Sequence, residues 1–202
     1  MTLLFVFSVQ LSLAKSIEFN ANVFYNEAVP MSGVGYGEWA KNLEKLSNGA
    51  LKAKVFYGGV LAPPKASLTA VSDGLAEVGH IPAMYTPSDL PVSNLLHELS
   101  ANFTDSLATM AALTEYNFTN KELQDQYKKW NLFFGGAYST PEYRIFCKDK
   151  VTTLDEMKGK KIRTLGAGSA LLVKQMGGIP VNVPSSEMYS GLEKGILDCA
   201  AN

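Results

Sequence analysis

Two arginines stand out among the residues of this chain that could bind an anion. The 202 residues include eighteen Lys and Arg residues, of which only Arg144 and Arg163 are arginines. Both lie among apolar, strand-forming neighbours, where an unpaired charge is costly. The planar guanidinium binds a carboxylate or phosphate through two parallel hydrogen bonds, which a lysine cannot reproduce. Recognition of an anion is therefore the first hypothesis. The alternatives are an ion pair between elements for Arg163 and a paired strand-edge residue for Arg144.

A glycine-rich turn follows Arg163 almost directly. In the segment GAGSAL, which begins at Gly166, we expect a strand to give way to a helix. Free amides at the start of a helix attract anions, so this turn and Arg163 could form one anion site. The segment also has part of the G-x-G-x-x-G pattern of dinucleotide-binding enzymes. Because Leu171 replaces the third glycine, an NAD-dependent oxidoreductase is disfavoured but stays open as an alternative.

The remaining polar residues form no recognisable catalytic group. His80 and His97 lack the spacing of metal ligands, and no nucleophile motif of the G-x-S-x-G type occurs. His80 follows a predicted strand and is a candidate wall residue of a cleft, together with Tyr85 and Tyr138, although a buried structural histidine is the alternative. We therefore expect no enzyme activity, no cofactor and no metal site.

The composition restricts the function and the compartment. A net charge of −1 and a pI near 6.1, without a basic patch, argue against a partner made of nucleic acid. Residues 1–14 are apolar and end in small residues, which predicts a secretory signal peptide, although no Lys or Arg precedes the apolar run. Cys147 and Cys199 are the only cysteines; we expect two buried free thiols, with a single disulfide as the alternative.

Alternating strand and helix patterns predict an α/β fold with mostly parallel sheets and helices on both faces. The predicted strands cover residues 17–24, 51–57, 76–82, 130–136, 143–147, 161–165, 179–184 and 196–201. One long helix is expected over 105–129 and a loop over 85–94. A change of composition near 135–141 divides a first lobe, residues 15–138, from a second lobe, residues 139–202. Ligands of open parallel sheets bind beyond the carboxyl ends of the strands, where Arg163 is predicted to lie.

Three stretches resemble the DctP-type substrate-binding proteins of tripartite ATP-independent periplasmic (TRAP) transporters. The first covers residues 37–81, the second and more specific one covers 157–202, and the third is the apolar leader at 1–14. In the second stretch the family has a K-I-R strand, a Gly-x-Pro strand, an S-E-x-Y helix start and a G-x-x-D strand. The corresponding residues here are Lys161-Ile162-Arg163, Gly178-Ile179-Pro180, Ser186-Glu187-x-Tyr189 and Gly195-Ile196-Leu197-Asp198. Members of the family extend well past Asn202, so we expect the C-terminal part of the fold to be missing here.

The resemblance implies a two-lobed periplasmic binding protein of type II-like fold that closes on a small organic acid. The loaded protein would dock as a monomer on the membrane permease subunits of a transporter driven by an ion gradient. The resemblance places the carboxylate-binding arginine at Arg163, a second cleft arginine at Arg144 and a polar contact at Asn202. A ligand-sensing binding protein with the same fold stays an alternative.

Three positions depart from the family pattern. Cys199 stands where the family usually has glycine, and Ala201 stands where glutamate is frequent. Ser185 stands where several members place an aromatic ring against the ligand. The last difference implies a ligand unlike that of the sialic-acid-type members.

Overall fold

The computed structural model describes residues 15–100, 104–140 and 143–202, so the predicted signal peptide at 1–14 lies outside the described residues. The strands within these ranges are β1 (Ile17–Asn22), β2 (Leu51–Phe56), β3 (Val78–Gly79), β4 (Ile145–Cys147), β5 (Lys161–Thr164), β6 (Ile179–Asn182) and β7 (Cys199–Ala201). The α-helices are α1 (Gly37–Leu46), α2 (Ser67–Ser72), α3 (Pro91–Ser100), α4 (Ser106–Thr119), α5 (Lys121–Lys128), α6 (Gly166–Gln175) and α7 (Met188–Glu193). A π-helical turn, Met31–Tyr36, leads into α1.

The strands form two sheets. The first has the order β2-β1-β3 and is parallel throughout, as the β-α-β pattern predicts. The second has the order β4-β7-β5-β6, in which β5 runs parallel to β6 and β7, while β4 runs antiparallel to β7. The two sheets lie on either side of the predicted lobe boundary near residue 138, and the boundary itself stays a prediction.

Two of the inner strands, β1 and β5, are buried towards their carboxyl ends. Ala21 and Ile162 are fully buried apolar residues of these strands. Asn22, at the end of β1, is buried too, and its amide group donates to the Ala62 carbonyl and to Ser67 Oγ at 3.3 and 3.1 Å. Because these bonds satisfy the side chain, Asn22 ties β1 to the segment that enters α2.

Separate apolar clusters lie against each sheet, and a third cluster joins them. Leu68, Leu90 and Leu132 pack beside the first sheet. The joining cluster consists of Phe24, Met84, Tyr85 and Leu165, where Phe24 follows β1 and Leu165 follows β5. The carboxyl ends of β1 and β5 therefore meet at one apolar contact. In open α/β folds, ligands bind at the carboxyl ends of the strands.

Three predictions of local structure are wrong. Residues 91–94, predicted as part of a loop, begin α3 with Pro91 in the first turn, where its missing N–H is not needed. The predicted helix over 105–129 is two helices, because Asn120 adopts an extended conformation and its side chain accepts a hydrogen bond from the Leu123 amide at 3.0 Å. Residues 130–136 form no strand; Asn131, at a φ of 54°, turns the chain out of α5.

The expectation of free thiols is also wrong. Cys147 and Cys199 face each other in the antiparallel pair β4–β7 and form a disulfide. The sequence pattern of alternating strands and helices predicts parallel neighbours, so it gives no reason to expect this pairing. The disulfide fixes the edge strand β4 on β7. Among the described residues, no helix is long and apolar enough to cross a membrane.

Candidate functional site

Arg163 lies at the centre of the second sheet. Its strand, β5, is held at its start by Asp198, whose carboxylate accepts a hydrogen bond from the Lys161 amide at 2.7 Å. Arg163 pairs in register with Val181 of β6 and with Ala200 of β7. Its side chain is completely buried. The sequence prediction that this arginine stands near the carboxyl end of a strand agrees with the structure.

Two of the three guanidinium nitrogens of Arg163 are bound to the protein. Nε donates to the Val183 carbonyl at 3.1 Å, and Nη1 donates to the Ala201 carbonyl at 2.6 Å. These carbonyls follow β6 and lie at the end of β7, so the fork spans both neighbours of its own strand. Nη2 is buried and has no hydrogen-bond partner among the described residues. A buried donor of a charged group without a partner is expensive, by about 1–3 kcal/mol or more.

The ion-pair alternative for Arg163 finds no support in the described part of the chain. The nitrogens that are bound donate to backbone carbonyls, which carry no net charge. The guanidinium therefore keeps its full positive charge in a buried place. Such a charge is stable when an anion joins it.

The predicted joint anion site of Arg163 and the glycine-rich turn is wrong, because the turn already binds an anion of the protein. Glu98, which lies on α3, accepts a hydrogen bond from the Gly168 amide through Oε2 at 2.9 Å. A Cβ on Gly166 would stand 1.9 Å from Glu98 Oε1, and one on Gly168 would stand 2.4 Å from Oε2. Gly166 also adopts a φ of +73°, which favours glycine. The glycines of GAGSAL therefore make room for Glu98, and a dinucleotide pyrophosphate would have to displace it.

Aromatic rings surround the space between the two sheets. His80, which follows β3, stacks on Tyr36 with the ring centres 5.8 Å apart and meets the edge of Tyr138 at 4.5 Å. The His80 ring also lies 4.9 Å from Phe24 and 5.5 Å from Tyr25. His80 and Tyr138, both of which the sequence analysis names as candidate wall residues of a cleft, are thus in contact.

Tyr85 connects the ring cluster to the second sheet. Its ring packs on Phe24 at 5.8 Å, and its hydroxyl oxygen accepts a hydrogen bond from the Ser185 amide at 3.3 Å. Ser185 follows β6, so this bond links the two sheets directly. Ser185 Oγ is buried.

Burial keeps the His80 imidazole neutral. The side chain is 2% exposed, and burial lowers its pKa from 6.5 to about 4. Both ring nitrogens are buried without a hydrogen-bond partner among the described residues. A neutral imidazole carries one donor and one acceptor, so His80 offers polar atoms but no charge.

The tyrosines of the cluster are neutral as well. Burial raises the pKa of Tyr36 to about 12 and holds the pKa of Tyr138 well above its ordinary value. Partial burial also raises the pKa of Tyr25 and of Tyr143, and the positive charge of Arg163 opposes both shifts. Of these two tyrosines, Tyr143 is the more exposed, at 42%.

The structure places Arg144 and Asn202 together, at an exposed end of the second sheet. Their backbones pair: the Arg144 amide donates to the Asn202 carbonyl at 2.8 Å, and the Asn202 amide donates back at 3.0 Å. Both residues are exposed. Their predicted contacts with a ligand stay predictions.

Two open grooves lie elsewhere on the surface. One, of about 840 Å³, is lined by residues of α5 and the start of α3, including Lys121 and Trp130. The other, of about 510 Å³, is lined mainly by apolar residues of α4. In the first groove Lys121 pairs with Asp125, and Trp130 Nε1 donates to the Asp89 carbonyl at 3.2 Å. These three side chains of the larger groove therefore already have partners within the protein.

Sequence reasoning missed three tyrosines of the site: Tyr25, Tyr36 and Tyr143. They are separated in sequence by up to about a hundred residues, and none follows a motif. A usable signal existed for Tyr25, which comes directly after the apolar end of the first predicted strand, where a ligand-facing residue is expected. Across the described ranges, no cluster of His, Cys, Asp and Glu could hold a metal ion.

A family model covers most of the chain. The family described as bacterial extracellular solute-binding protein, family 7 (DctP), matches residues 31–202. A curated solute-binding protein of Albidiferax ferrireducens is 25% identical over 167 residues, which make up 80% of this chain and 47% of that protein. The chain therefore spans about half the length of that relative.

Solved structures share the fold. A TRAP solute-binding protein of Rhodoferax ferrireducens, in complex with copurified benzoate, gives a TM-score of 0.83 at 22% identity, over 93% of this chain and 57% of that one. A marine metagenome protein specific for aromatic acid ligands, in complex with 3-hydroxybenzoate, gives a TM-score of 0.80 at 20% identity. The match covers 93% of this chain and 57% of that one. A Bordetella pertussis receptor binding pyroglutamic acid gives a TM-score of 0.76 at 19% identity. The match covers 92% of this chain and 60% of that one.

At these identities the structures establish the fold alone, and they confirm the predicted α/β binding-protein architecture. The family itself rests on the match over residues 31–202. On that match, the chain belongs to the DctP family of bacterial extracellular solute-binding proteins, the family of TRAP transporter receptors that its K-I-R and G-x-x-D strands resemble.

Proposed function

We propose that this protein binds a small organic acid through its carboxylate and delivers it to a TRAP transporter. The observation that carries the proposal is Nη2 of Arg163, a buried donor of a charged group that has no hydrogen-bond partner within residues 15–100, 104–140 and 143–202. A ligand carboxylate at Nη2 would supply both the missing acceptor and the missing negative charge. In a buried site this attraction is stronger than in water, because the surroundings screen it less.

The fixed orientation of the guanidinium suits this role. Since Nε and Nη1 are bound to Val183 and Ala201, the side chain loses little freedom when a ligand arrives. Because Arg163 is completely buried, a ligand reaches Nη2 only if the side chains above it move. The contact of Tyr85 with Ser185 is the bond between the sheets that must open. Separation and closure of two lobes is the corresponding motion.

The relatives support a carboxylate as the recognised group. Their ligands are benzoate, 3-hydroxybenzoate and pyroglutamate, which differ in shape and share a carboxylate. Arg144 and Asn202 would supply secondary polar contacts after closure. The His80 ring and Tyr85 would form part of the wall of the cleft.

We further propose that the protein works as a monomer in the periplasm, where the apolar residues 1–14 would direct it. Membrane permease subunits would receive the loaded form and use an ion gradient to move the acid. No cofactor takes part in this cycle, since capture and release need no chemical step.

Substitution of Arg163 tests the proposal. We expect Arg163→Ala to weaken binding of the best carboxylate by about 100-fold or more, because it removes the charge and the fork together. Arg163→Lys keeps the charge and most of the length but loses the fork, and we expect an intermediate loss. Isothermal titration calorimetry on the full chain measures both.

Lys174→Ala is the matched control, since it removes an exposed cation from the neighbouring helix α6. Urea unfolding of each variant separates loss of binding from loss of fold. Binding of an organic acid by folded Arg163→Ala with wild-type affinity would refute the proposal.

A further inference from the structure

The wall of the proposed site is rich in aromatic rings. The His80 ring contacts Phe24, Tyr25, Tyr36 and Tyr138, and Tyr85 packs on Phe24. These rings form one cluster, and Arg163 is the buried cation beside it. Tyr143 is 42% exposed and lies outside this ring cluster.

The cluster has one charged centre. Arg163 is a completely buried charged side chain, and its positive charge opposes the rise in the pKa that burial causes at Tyr25. His80 is neutral at physiological pH for the reason given above. A ligand among these rings would meet one buried cation, because Arg144, the second cation of the proposed site, is exposed at the end of the second sheet. A second carboxylate buried among the rings would lose its water without gaining a cation, which is costly.

The faces and edges of the rings also restrict the body of the ligand. Ring pairs in the cluster already use both stacked and edge-to-face geometry, as in His80 with Tyr36 and with Tyr138. A flat aromatic body can join such an arrangement, and each aromatic pair stabilises beyond the area it buries. A sugar acid carries a hydroxyl on most carbons, and each hydroxyl would need its own partner in a wall of this kind.

We propose, as a refinement that rests on the proposed function, that the site selects planar aromatic monocarboxylates. The carboxylate binds Nη2 of Arg163, and the ring lies among Tyr25, Tyr36, His80 and Tyr138. The unpartnered nitrogens of His80 provide a donor and an acceptor for a polar ring substituent such as a hydroxyl. Ser185 adds a buried hydroxyl beside the Tyr85 contact.

The test compares acids on the wild-type full chain by isothermal titration calorimetry at one pH and ionic strength. The probes are benzoate, 3-hydroxybenzoate, cyclohexanecarboxylate, succinate and galacturonate. We expect benzoate and 3-hydroxybenzoate to bind at least about tenfold more tightly than succinate and galacturonate. We expect cyclohexanecarboxylate, which has the same charge and a thicker ring, to bind more weakly than benzoate.

The outcomes separate this inference from the proposed function. If succinate or galacturonate binds most tightly and Arg163→Lys weakens that binding, the ligand class is wrong and the proposed function stands. If cyclohexanecarboxylate binds more tightly than benzoate, the site selects apolar bulk and not aromatic shape. If no acid binds at all, the proposed function fails and this refinement fails with it.

One pair of variants tests the wall directly. Tyr36→Leu keeps an apolar side chain and removes a ring that stacks on His80, so we expect benzoate to bind about tenfold more weakly. Tyr189→Leu is the control, because Tyr189 is 78% exposed on α7. Equal effects of the two substitutions would contradict the proposed wall. The ranking of acids on the wild-type protein decides the ligand class even if Tyr36→Leu fails to fold.

Discussion

At the scale of single residues, Arg163 shows why an arginine and not a lysine occupies this position. Its Nε and Nη1 hold the side chain on Val183 and Ala201, and Nη2 is left without a partner among the described residues. A lysine has one nitrogen and could not both make these contacts and bind the carboxylate that we propose. In the proposed function, one guanidinium therefore both holds the second sheet together and binds the anion.

His80 makes the stability of the fold depend on pH. Because burial lowers the pKa of folded His80 to about 4, the unfolded chain takes up a proton near pH 6.5 while the folded chain does not. The free energy of unfolding therefore falls as the pH drops from about 6.5 towards 4. Between pH 7 and pH 5 we expect His80 to contribute a loss of about 2 kcal/mol. Urea unfolding of the ligand-free protein at the two pH values measures it.

The His80→Phe variant should lose most of this pH dependence. Its aromatic neighbours are Phe24, Tyr25, Tyr36 and Tyr138, none of which titrates between pH 5 and 7. They therefore do not contribute to the difference in the free energy of unfolding between the two pH values. Burial also lowers the pKa of His97, which gives a residual slope of the same sign. His97→Gln is the control and should keep the larger part of the slope. An unchanged slope in His80→Phe would show that the histidine is protonated in the folded state.

At the scale of elements, α3 and α6 are joined by a carboxylate at a helix start. Glu98 on α3 binds the Gly168 amide of α6, and the missing Cβ atoms of Gly166 and Gly168 allow it to approach. The negative charge is favourable there because the helix dipole is positive at its first turn. This contact connects a helix beside the first sheet to a helix beside the second.

A double-mutant cycle on the contact between Glu98 and Gly168 should show that the two substitutions are coupled in their effect on stability. Glu98→Ala should cost about 1 kcal/mol of stability, the typical value for a lost helix cap. Gly168→Ala alone should bring little gain, because its Cβ would stand 2.4 Å from Glu98 Oε2 and force the carboxylate away. In the Glu98→Ala background the same change should stabilise by up to about 1 kcal/mol, since alanine is the better helix former. Urea unfolding of the four proteins gives the coupling.

Gly35→Ala provides the control for this cycle, because no atom lies within 4 Å of the added Cβ. We expect no coupling between Gly35→Ala and Glu98→Ala. Simple additivity of Glu98→Ala and Gly168→Ala would mean that the carboxylate does not hold the turn in solution.

The predictability of the elements follows from the range of the interactions that form them. The strands β1, β2, β5 and β6 were predictable because runs of apolar residues between turn residues are local signals. The strand β4 lies within the predicted strand 143–147, but its antiparallel direction and its disulfide were not predictable, because the direction of a strand depends on its neighbour in the sheet. Residues 130–136 are mostly apolar but pair with no strand. Their apolar character alone therefore does not predict a strand.

The residues of the proposed site show the same limit of prediction from local sequence patterns. Arg163 was predictable, since a scarce residue type stands at the end of a recognisable strand beside a glycine-rich turn. The identity of the anion at that turn was not, because Glu98 lies 70 residues away on a helix that the sequence pattern did not predict. Likewise, Tyr25 and Tyr36 join one ring cluster only through His80, which is distant from both in the sequence.

At the scale of the whole molecule, the proposed site belongs to neither sheet alone. The first sheet supplies the ring cluster around His80, and the second supplies Arg163 and Ser185. The apolar contact of Phe24 and Tyr85 with Leu165 holds the two parts together in the structure described here. A ligand between them would add contacts to both parts at once, and its binding energy would then favour the closed arrangement.

Amide hydrogen exchange with and without benzoate tests this view of the whole molecule. We expect protection in segments from both sheets, namely residues 22–25 after β1 and residues 163–165 and 183–185 of the second sheet. A bound ligand suppresses the local opening that exposes these amides. Residues 121–130 and 106–116, which line the two open grooves, serve as internal controls and should exchange at unchanged rates. Protection of either groove instead of the inner segments would place the ligand there and remove Arg163 from the site. Protection limited to one sheet would leave the site in place but show that the acid binds without closing the two parts on each other.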